Sequence, residues 1–320
     1  IPAGNITGCT RTDAGGSAVR YQFGYDEADQ LTRSDLLELP GGGILSREAW
    51  RYDAAGNRIA AQSGGTAVNH PVNANTQVTV ETASGPARFL GRADEEASVV
   101  FSRGGVDYPA IPLDGFLHEA WIDLEEGPNS VEAVATDLAG NETRRTYSVD
   151  VPAGATATFT HDADGNLLSD GTRSFTWDAE SRLTGITHGD GSTSAFAYDG
   201  LGRRVRITER DAAGGVVSDR RYVWDGLAIA EERDAATNAV LKRHFPQGEQ
   251  RVGGSDAGNF YYTRDHLRSV REVVDASGTV RARYDYSPWG ERSKVSGDLE
   301  SDFGFTGHFH HAPSGLVLAP

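Results

Sequence analysis

The sequence has no methionine and a single cysteine among its 320 residues. A chain without methionine lacks its own initiator, and Ile1-Pro2-Ala3-Gly4 shows neither the basic nor the apolar region of a signal peptide. We therefore expect a piece of a longer polypeptide. Cys9 alone excludes an internal disulfide, so the fold must be stable without one. With no histidine nearby in the sequence, Cys9 is interpreted as a small residue near a terminus rather than as a reactive thiol.

Long apolar runs and an excess of positive charge are also missing. No run approaches the roughly 20 apolar residues that a membrane-spanning helix needs. Acidic residues number 46 against 30 basic ones, which gives a formal net charge of −16. A broad phosphate-binding surface requires the opposite balance. Membrane insertion and nucleic-acid binding are therefore excluded as expected functions.

Glycine, in contrast, is abundant. The chain holds 39 glycines and 12 prolines, with no collagen-like period. Because glycine is favoured wherever a tight turn requires positive φ, this composition predicts many turns and hence short strands.

An aromatic residue followed by aspartate recurs along the chain, and histidine takes the aromatic position once. Four intervals between copies are 27, 16, 21 and 26 residues, within the range of repeat proteins, whereas one interval is 109 residues. The copies are Tyr25-Asp26, Tyr52-Asp53, His161-Asp162, Trp177-Asp178, Tyr198-Asp199, Trp224-Asp225 and Tyr284-Asp285.

Several copies continue as Asp-Ala-x-Gly-Asn, as at 53–57 and 162–166. Aspartate opens a type I turn and glycine or asparagine takes positive φ, so each copy predicts a strand, a tight turn and a second strand. The aromatic residue before the turn is placed to pack against the aromatic residue of the neighbouring hairpin. One hairpin is not stable alone, but stacked hairpins are.

The repeats resemble those of the bacterial Rhs or YD-repeat proteins, which are related to the repeat shells of toxin-complex C components and teneurins. The resemblance covers 1–73 and 152–320. It is most specific over 261–271, 275–278, 284–291 and 303–308, which are similar to the Rhs repeat-associated core. One departure is Arg268, where the family usually has glycine.

This resemblance implies an all-β fold in which a spiralling sheet of antiparallel hairpins closes into a shell around a C-terminal cargo, often a toxin. It also implies a secreted or cell-surface location, with the remaining shell repeats and the cargo as partners. Family members often cut themselves beyond the segment that matches Gly315-Leu316. Because the chain stops at Pro320, before those motifs, we assign no catalytic residue and no cofactor.

The 109-residue interval is explained by an insertion over 74–151, which holds 14 acidic and 5 basic residues. Alternating apolar residues predict five short strands there. They lie at 77–80, 97–101, 118–124, 130–135 and 146–149. Through the stretches 124–131 and 135–141, the segment resembles bacterial immunoglobulin-like modules, which are β-sandwiches. The expected domains are hairpins over 1–73 and 152–256, the insert, and the core segment over 257–320.

His308, His310 and His311 form a His-x-His-His motif near the end of the chain. Imidazoles at i and i+2 on a strand share a face, as zinc ligands do. No cysteine lies nearby and no carboxylate is clearly placed as a third ligand. The alternative, which we favour, is a tail packed on the inner wall of the shell.

Three further patterns also have an ordinary structural interpretation. Asp162-x-Asp164-Gly165-Asn166 resembles the start of a calcium loop, but Arg173 stands where the bidentate acid is needed. A second pattern is Ser269 near His266, a possible nucleophile and base, but their side chains would face opposite sides of a strand.

The third pattern is a basic patch. Arg204 and Arg206 are expected to share one face of a strand and to pair with Glu231 or Glu232, with phosphate binding as the weaker alternative.

The sequence therefore predicts a non-enzymatic structural fragment that acts by enclosure and display. Two alternatives stay open. The chain is the processed portion of a self-cleaving toxin precursor, or it is an adhesin whose insert binds cell-surface proteins or glycans.

Overall fold

The computed structural model describes residues 4–12, 16–154 and 157–319, and there the chain is built from β-strands, turns and two short 3-10 helices. Within these ranges no helix has the length and apolarity to cross a bilayer. The chain divides into two compact units, 1–160 and 161–320. The predicted all-β fold is confirmed.

The first unit begins with a six-stranded antiparallel sheet whose strands are adjacent in the order of the sequence. Its strands are β1 (Gly8–Thr12), β2 (Ala18–Tyr25), β3 (Leu31–Leu39), β4 (Ile44–Tyr52), β5 (Arg58–Ser63) and β6 (Thr66–Asn69). Cys9 lies exposed on β1.

The chain then forms β7 (Val80–Glu81), enters an inserted module and returns at β15 (Ala157–Thr158), which pairs with β7. The module holds seven strands and a 3-10 helix (Asp114–Phe116). The strands are β8 (Gly85–Arg92), β9 (Ala97–Arg103), β10 (Val106–Pro109), β11 (Ile111–Pro112), β12 (Leu117–Leu124), β13 (Gly127–Asp137) and β14 (Glu142–Val151).

These seven strands form two sheets, in the orders β10-β9-β13-β14 and β11-β12-β8. Ile122 from one sheet and Val131 from the other are fully buried in a shared apolar core. The module is therefore a β-sandwich, with β8, β10 and β11 beyond the predicted strands. In the four-stranded sheet, β9, the second strand of the module, lies between β10 and β13, its third and sixth strands. In immunoglobulin constant domains, the second strand lies between the first and the fifth. The immunoglobulin-like part of the prediction is not confirmed.

The second unit is dominated by a 14-stranded antiparallel sheet, again in sequence order. Its strands are β16 (Thr160–His161), β17 (Leu167–Ser169), β18 (Ser174–Trp177), β19 (Leu183–Thr187), β20 (Thr193–Tyr198), β21 (Arg204–Arg210), β22 (Val216–Asp225), β23 (Ala228–Asp234), β24 (Val240–Phe245), β25 (Gly248–Arg251), β26 (Gly258–Arg264), β27 (Val270–Asp275), β28 (Val280–Tyr286) and β29 (Arg292–Gly297).

Residues 298–319, here called the C-terminal segment, pack against this sheet. The segment contains a 3-10 helix (Phe305–Gly307), β30 (Phe309–His311) and β31 (Leu316–Leu318). Phe309 joins an apolar cluster with side chains from β18 to β23, and Leu299 joins a second cluster with side chains from β26 to β28. The C-terminal segment therefore covers part of one face of the sheet.

The hairpin turns repeat one five-residue hydrogen-bond pattern. At Asp199, the backbone N–H donates to the carbonyl of Arg203, and the N–H of Gly202 donates to the carbonyl of Asp199. Oδ1 of Asp199 accepts from the N–H groups of Leu201 and Arg203 at 2.9 and 3.0 Å. Gly202 has φ of +79°. The predicted role of aspartate holds at Asp26, Asp53, Asp162, Asp178 and Asp199.

At several turns, the aromatic residue before the turn attaches its hairpin to the preceding one. The hydroxyl of Tyr198 donates to the carbonyl of Leu183 at 2.8 Å. Leu183 lies five residues after Asp178, which opens the preceding turn. The same hydrogen bond joins Tyr25 to Ile6, Tyr52 to Leu31, Trp177 to Leu167, Trp224 to Arg204 and Tyr286 to Val270. The structure thus shows a hydrogen-bonded hook where the sequence suggested packing between rings.

Two predicted repeat positions differ from this pattern. Asp225 precedes a two-residue turn and pairs directly with Ala228. Asp285 lies inside the β28–β29 ladder, while Ser287 opens the turn and Tyr286 makes the hook. The assignment of Tyr284 and Asp285 to the turn is therefore wrong by two residues. The reason is the position of Gly290, which supplies positive φ three residues after Ser287.

A β-bulge accompanies the hook. Tyr198 pairs with Arg204, but the next pair is Ala197 with Arg206, so Val205 is an extra residue on its strand. Similar register shifts occur at Tyr25, Tyr52, Trp177 and Trp224. Bulges increase the local twist of a strand pair, so the repeats build a twisted sheet.

Candidate functional site: a buried ionic cluster

Five charged or titratable side chains of the second unit meet where the C-terminal segment covers the sheet. They are Glu232 on β23, Lys242 and His244 on β24, Glu249 on β25 and Asp302 of the C-terminal segment, and we call them the buried ionic cluster. The register places Glu232 opposite Lys242 and His244 opposite Glu249. Lys242 and His244 are two residues apart on one strand, so they share a face.

Lys242 is held between two carboxylates. Its Nζ lies 2.6 Å from Oδ2 of Asp302 and 3.8 Å from Oε2 of Glu232. Arg220 approaches the other oxygen of Glu232 at 3.3 Å. Glu232 is 6% exposed, so these interactions are only weakly screened by water. Lys242 thus links the sheet to the C-terminal segment.

The protonation of the cluster follows from burial and from these distances. Burial raises the pKa of Glu232 to about 7, and the nearby charge of Asp302 adds to this effect. Burial would also raise the pKa of Asp302, but Lys242 and the other basic groups around it together outweigh burial and lower that pKa. Burial would lower the pKa of Lys242, but Asp302 and Glu232 outweigh it and raise that pKa. Near neutral pH, Glu232 is therefore the carboxyl group that exchanges its proton.

Glu249 and His244 form the deeper part of the cluster. The fully buried carboxylate of Glu249 accepts hydrogen bonds from Nε of Arg251 at 2.6 Å and from the hydroxyl of Tyr262. The His244 side chain is 3% exposed, and its ring nitrogens lie 4.0 Å from Glu249 and from Asp302, too far for a hydrogen bond. Burial lowers the pKa of His244, so its imidazole is neutral at pH 7.

In the described part of the chain, one set of three side chains has the spacing of metal ligands, namely Glu232, His244 and Asp302. The ammonium group of Lys242 lies 2.6 Å from Asp302 and already places a positive charge beside both carboxylates. A divalent cation would have to displace it. The chemistry of the set therefore fits an internal ion pair better than a metal centre.

The three histidines predicted as weak metal candidates do not converge. His308 Nδ1 lies 2.6 Å from Oγ1 of Thr306, and His311 Nε2 lies 2.8 Å from Oε1 of Glu209. Burial, together with the charge of Arg292, lowers the pKa of His310 to about 4. All three belong to the C-terminal segment, which packs on the sheet. That this face is the inner wall of a shell stays a prediction.

The prediction that Arg204 and Arg206 share a face and pair with Glu231 or Glu232 is wrong. Because the bulge at Val205 interrupts the alternation of side chains, Arg204 is buried while Arg206 is exposed and pairs with Asp219. The guanidinium of Arg204 lies 4.7 Å from the centre of the Phe309 ring. The expected partners bind elsewhere, with Glu231 contacting Arg233 and Arg243, and Glu232 contacting Arg220 and Lys242.

The other singled-out motifs serve the turns. The carboxylate of Asp162 accepts hydrogen bonds from the backbone of Asp164 and from the backbone and side chain of Asn166. Ser269 is the fifth residue of the turn that begins at Asp265, and its hydroxyl accepts a hydrogen bond from the N–H of Thr306. Both observations agree with the structural interpretations that we preferred.

Sequence reasoning missed most of the buried ionic cluster. It named Glu232 only as a partner of the basic patch and did not select Lys242, His244, Glu249 or Asp302. The local signal was the spacing of Lys242 and His244, which places both on one face of a strand. Asp302 lies 60 residues beyond Lys242, so no local pattern joins them.

Comparison with known proteins gives a consistent family assignment. A family model described as the teneurin YD-shell matches residues 150–320. The probable deoxyribonuclease RhsA of Dickeya dadantii is 24% identical over 94% of this chain and 20% of its own length. The tRNA3(Ser)-specific nuclease WapA of Bacillus spizizenii is 29% identical over 49% of this chain and 7% of its own. The chain thus spans a small part of these relatives.

Among solved structures, the Tc holotoxin pore of Photorhabdus luminescens is similar over 94% of this chain and 16% of its own chain. The sequence identity is 14% and the TM-score is 0.37.

Proposed function

Because the chain belongs to the teneurin YD-shell family, we propose that it forms one segment of a β-shell in a large secreted or cell-surface Rhs-type protein. The shell encloses or presents a C-terminal cargo. One observation carries this proposal: the C-terminal segment packs on the same face of the 14-stranded sheet that buries Phe175, Ile186 and Phe196. A chain that continues from this segment starts on the covered face of the sheet.

The hairpin architecture supports a role in enclosure. Each strand pairs with the next in sequence, and each hook attaches a hairpin to its predecessor. A sheet of this kind grows by addition of hairpins, as repeat proteins do. The relatives RhsA and WapA are named as nucleases, and a toxin is accordingly the class of cargo that we propose. The chain itself is assigned a structural role.

The proposal is tested on the full natural polypeptide by limited proteolysis followed by mass spectrometry. We expect residues beyond 320 to resist cleavage under conditions that cut the exposed loops of the 85–151 sandwich. A Trp224→Phe variant, which loses a hook, should expose those residues, whereas Trp121→Phe in the sandwich should not. Equal cleavage of the cargo and of the sandwich loops in the natural protein would refute enclosure.

Processing of a self-cleaving precursor is the alternative that the family resemblance supplies. The intact mass of the natural protein decides it. A chain that ends near Pro320 together with a co-purifying peptide supports processing, and an unbroken longer chain rejects cleavage at this position.

A second candidate function, adhesion, is favoured by a cleft of about 560 Å³ in the sandwich. Phe89, Phe101 and Tyr147 line it together with Arg92 and Arg145. Aromatic faces beside polar groups suit glycans and protein side chains alike. A glycan-array signal that disappears on Tyr147→Ala and persists on Tyr108→Ala would support this role, and a signal unchanged by removal of the sandwich would eliminate it.

A further inference from the structure

We propose that Lys242 and Asp302 form an intramolecular isopeptide bond, promoted by Glu232, which covalently fixes the C-terminal segment to the sheet. The proposal rests on three side chains that the fold brings together, and it holds whether or not the chain forms a shell.

The nucleophile and the electrophile are already in contact. Nζ of Lys242 lies 2.6 Å from Oδ2 of Asp302, so little motion separates the hydrogen-bonded pair from attack of the nitrogen on Cγ. Lys242 is anchored by cross-strand pairing opposite Glu232. The backbone of Asp302 is fixed by a hydrogen bond of 2.7 Å from the N–H of His310. Reactants held at contact distance gain a large effective concentration.

Lys242 and Asp302 are a charged pair at rest, and the low polarity around them reduces the free-energy cost of reaching the neutral forms that the reaction needs. Tyr222 and Glu232 are buried, and the ring of Phe303 stands edge-on to His244 beside Asp302. In such a site an ammonium and a carboxylate become an amine and an acid when one proton crosses their shared hydrogen bond. This transfer requires no outside proton donor, and low polarity reduces its cost.

The bond forms by a balanced condensation. The neutral amine of Lys242 attacks Cγ of Asp302, so an N–C bond forms and the carbonyl π electrons move to oxygen. The carboxyl group of Glu232 donates its proton to the departing hydroxyl and receives one proton from the nitrogen. The Cγ–O bond breaks, water leaves and Glu232 recovers its proton. The products are an amide and one molecule of water, with no oxidant or other reactant.

Glu232 is placed for this relay. Its carboxyl oxygen lies 3.8 Å from Nζ of Lys242 and within 4.8 Å of the Asp302 carboxylate. Because burial raises its pKa to about 7, Glu232 carries a proton in a substantial fraction of molecules at neutral pH. A carboxylic acid that is both donor and acceptor is what the condensation requires.

The sequence provides its own comparison, since it contains two lysines, Lys242 and Lys294. Lys294 also lies 2.6 Å from a carboxylate, that of Glu300, but the side chains of that pair are 30% and 56% exposed, against 19% and 20% for Lys242 and Asp302. Water stabilises the charged forms of that pair. Equal distances in different surroundings therefore predict a bond at Lys242 and none at Lys294.

The test is peptide mapping of the purified, folded protein. The bond makes the chain lighter by the mass of one water molecule and protects Lys242 from trypsin. Digestion should then yield a branched peptide that joins 234–243 to the peptide beginning at Val295. Because aspartate can also lose water to form a succinimide, the branched peptide and not the mass alone is decisive. Its absence after prolonged incubation of the folded protein would overturn the proposal.

Two variants separate the roles of the residues. Lys242→Arg keeps a cation beside Asp302 and should give the full mass with no branch. Glu232→Gln keeps the shape of the side chain but cannot relay the proton, so the branched peptide should fall at least tenfold. A branch that persists unchanged in Glu232→Gln refutes the role of Glu232. A branch at Lys294 and Glu300 of equal yield refutes selection by burial. If either variant fails to fold, the map of the unaltered protein still decides whether the bond exists.

Discussion

The sandwich over 85–151 and the hairpin sheet of the second unit are both antiparallel, yet they are held together in different ways. In the sandwich, β8 pairs with β12 and β9 pairs with β13, so its sheets depend on contacts between distant parts of the chain. In the hairpin sheet, each strand pairs with its immediate neighbour. The first arrangement is specified by a common core, whereas the second is specified locally, one turn and one hook at a time.

The interiors differ in the same way. The sandwich centres on apolar side chains such as Ile122 and Val131, with a buried arginine, Arg88, paired with Glu119. The hairpin sheet combines apolar clusters with charged groups, and it buries Glu249 and Arg204. Buried charges add little net stability, but they tolerate few alternative arrangements because an unpaired charge is costly. Both regions therefore combine packing with polar contacts, but the hairpin sheet buries more charged side chains, among them Arg204, Glu232 and Glu249, whereas the sandwich buries Arg88.

The strongest way to separate the two regions is a cavity in the sandwich core. Ile122→Ala should destabilise the sandwich by about 2–5 kcal/mol, because Ile122 is completely buried. Hydrogen exchange should accelerate across 85–151 and stay unchanged over 161–319. The matched variant Ile186→Ala should show the opposite distribution. Exchange that rises equally in both regions after either substitution would mean that they unfold as one.

Removal of one hook tests whether the hairpins are attached locally. Tyr198→Phe leaves the carbonyl of Leu183 without its donor and should cost about 1–2 kcal/mol in urea unfolding. Tyr147→Phe, at an exposed position of the sandwich, should change stability far less. Equal effects of the two substitutions would argue against the hook as a stabilising contact.

Acidification should loosen the C-terminal segment before the sandwich. The folded pKa of His310 is lowered from 6.5 to about 4, so the unfolded chain binds the proton first as pH falls. The stability from neutral His310 is complete above pH 6.5 and is lost as pH falls toward 4. We expect a loss of about 1 kcal/mol, since His310 is partly exposed.

Hydrogen exchange of residues 298–319 at pH 7 and pH 5 measures this loss. His310→Gln should reduce the difference between the two values, whereas His266→Gln, in an exposed turn, should not. A pH dependence that is the same in both variants would contradict the assignment to His310.

The smallest expected effect concerns a single turn. Arg268 has φ of +70°, a conformation that glycine adopts at the equivalent position Gly202. Arg268→Gly should therefore stabilise the hairpin sheet by about 0.5 kcal/mol, because relief of strain exceeds the added entropy of the unfolded chain. Thermal unfolding measures the change, and Gly202→Arg should shift it in the opposite direction. A loss of stability in Arg268→Gly would show that the arginine side chain makes the larger contribution.

The same contrast explains what could be predicted from the sequence. The turns were predictable because Asp53, Gly56 and Asn57 lie within five residues and hydrogen-bond to one another. The register beyond each turn was not, because the bulge at Val205 has no local signature and reverses the face of Arg206. Likewise, the choice between Asp285 and Ser287 as the turn opener depended on the position of Gly290.

The candidate site was the least predictable part of the molecule. Lys242 and Asp302 meet only after the C-terminal segment folds back over the sheet. In the sandwich, β8 was not predicted from the sequence. It pairs with β12 about thirty residues later, and its own sequence shows little alternation of apolar and polar residues. Both failures have one physical cause: the role of the residue or strand depends on contact with a partner that lies far along the chain.

The closure of the insertion site has a consequence for replacement of the module. Val80 and Glu81 pair with Thr158 and Ala157, so the two strands that flank the inserted module lie side by side. Any domain whose N- and C-termini lie close together could be inserted between β7 and β15 without breaking their pairing. The geometry therefore predicts that a different domain with neighbouring termini can replace the module while the pairing of β7 with β15 is kept.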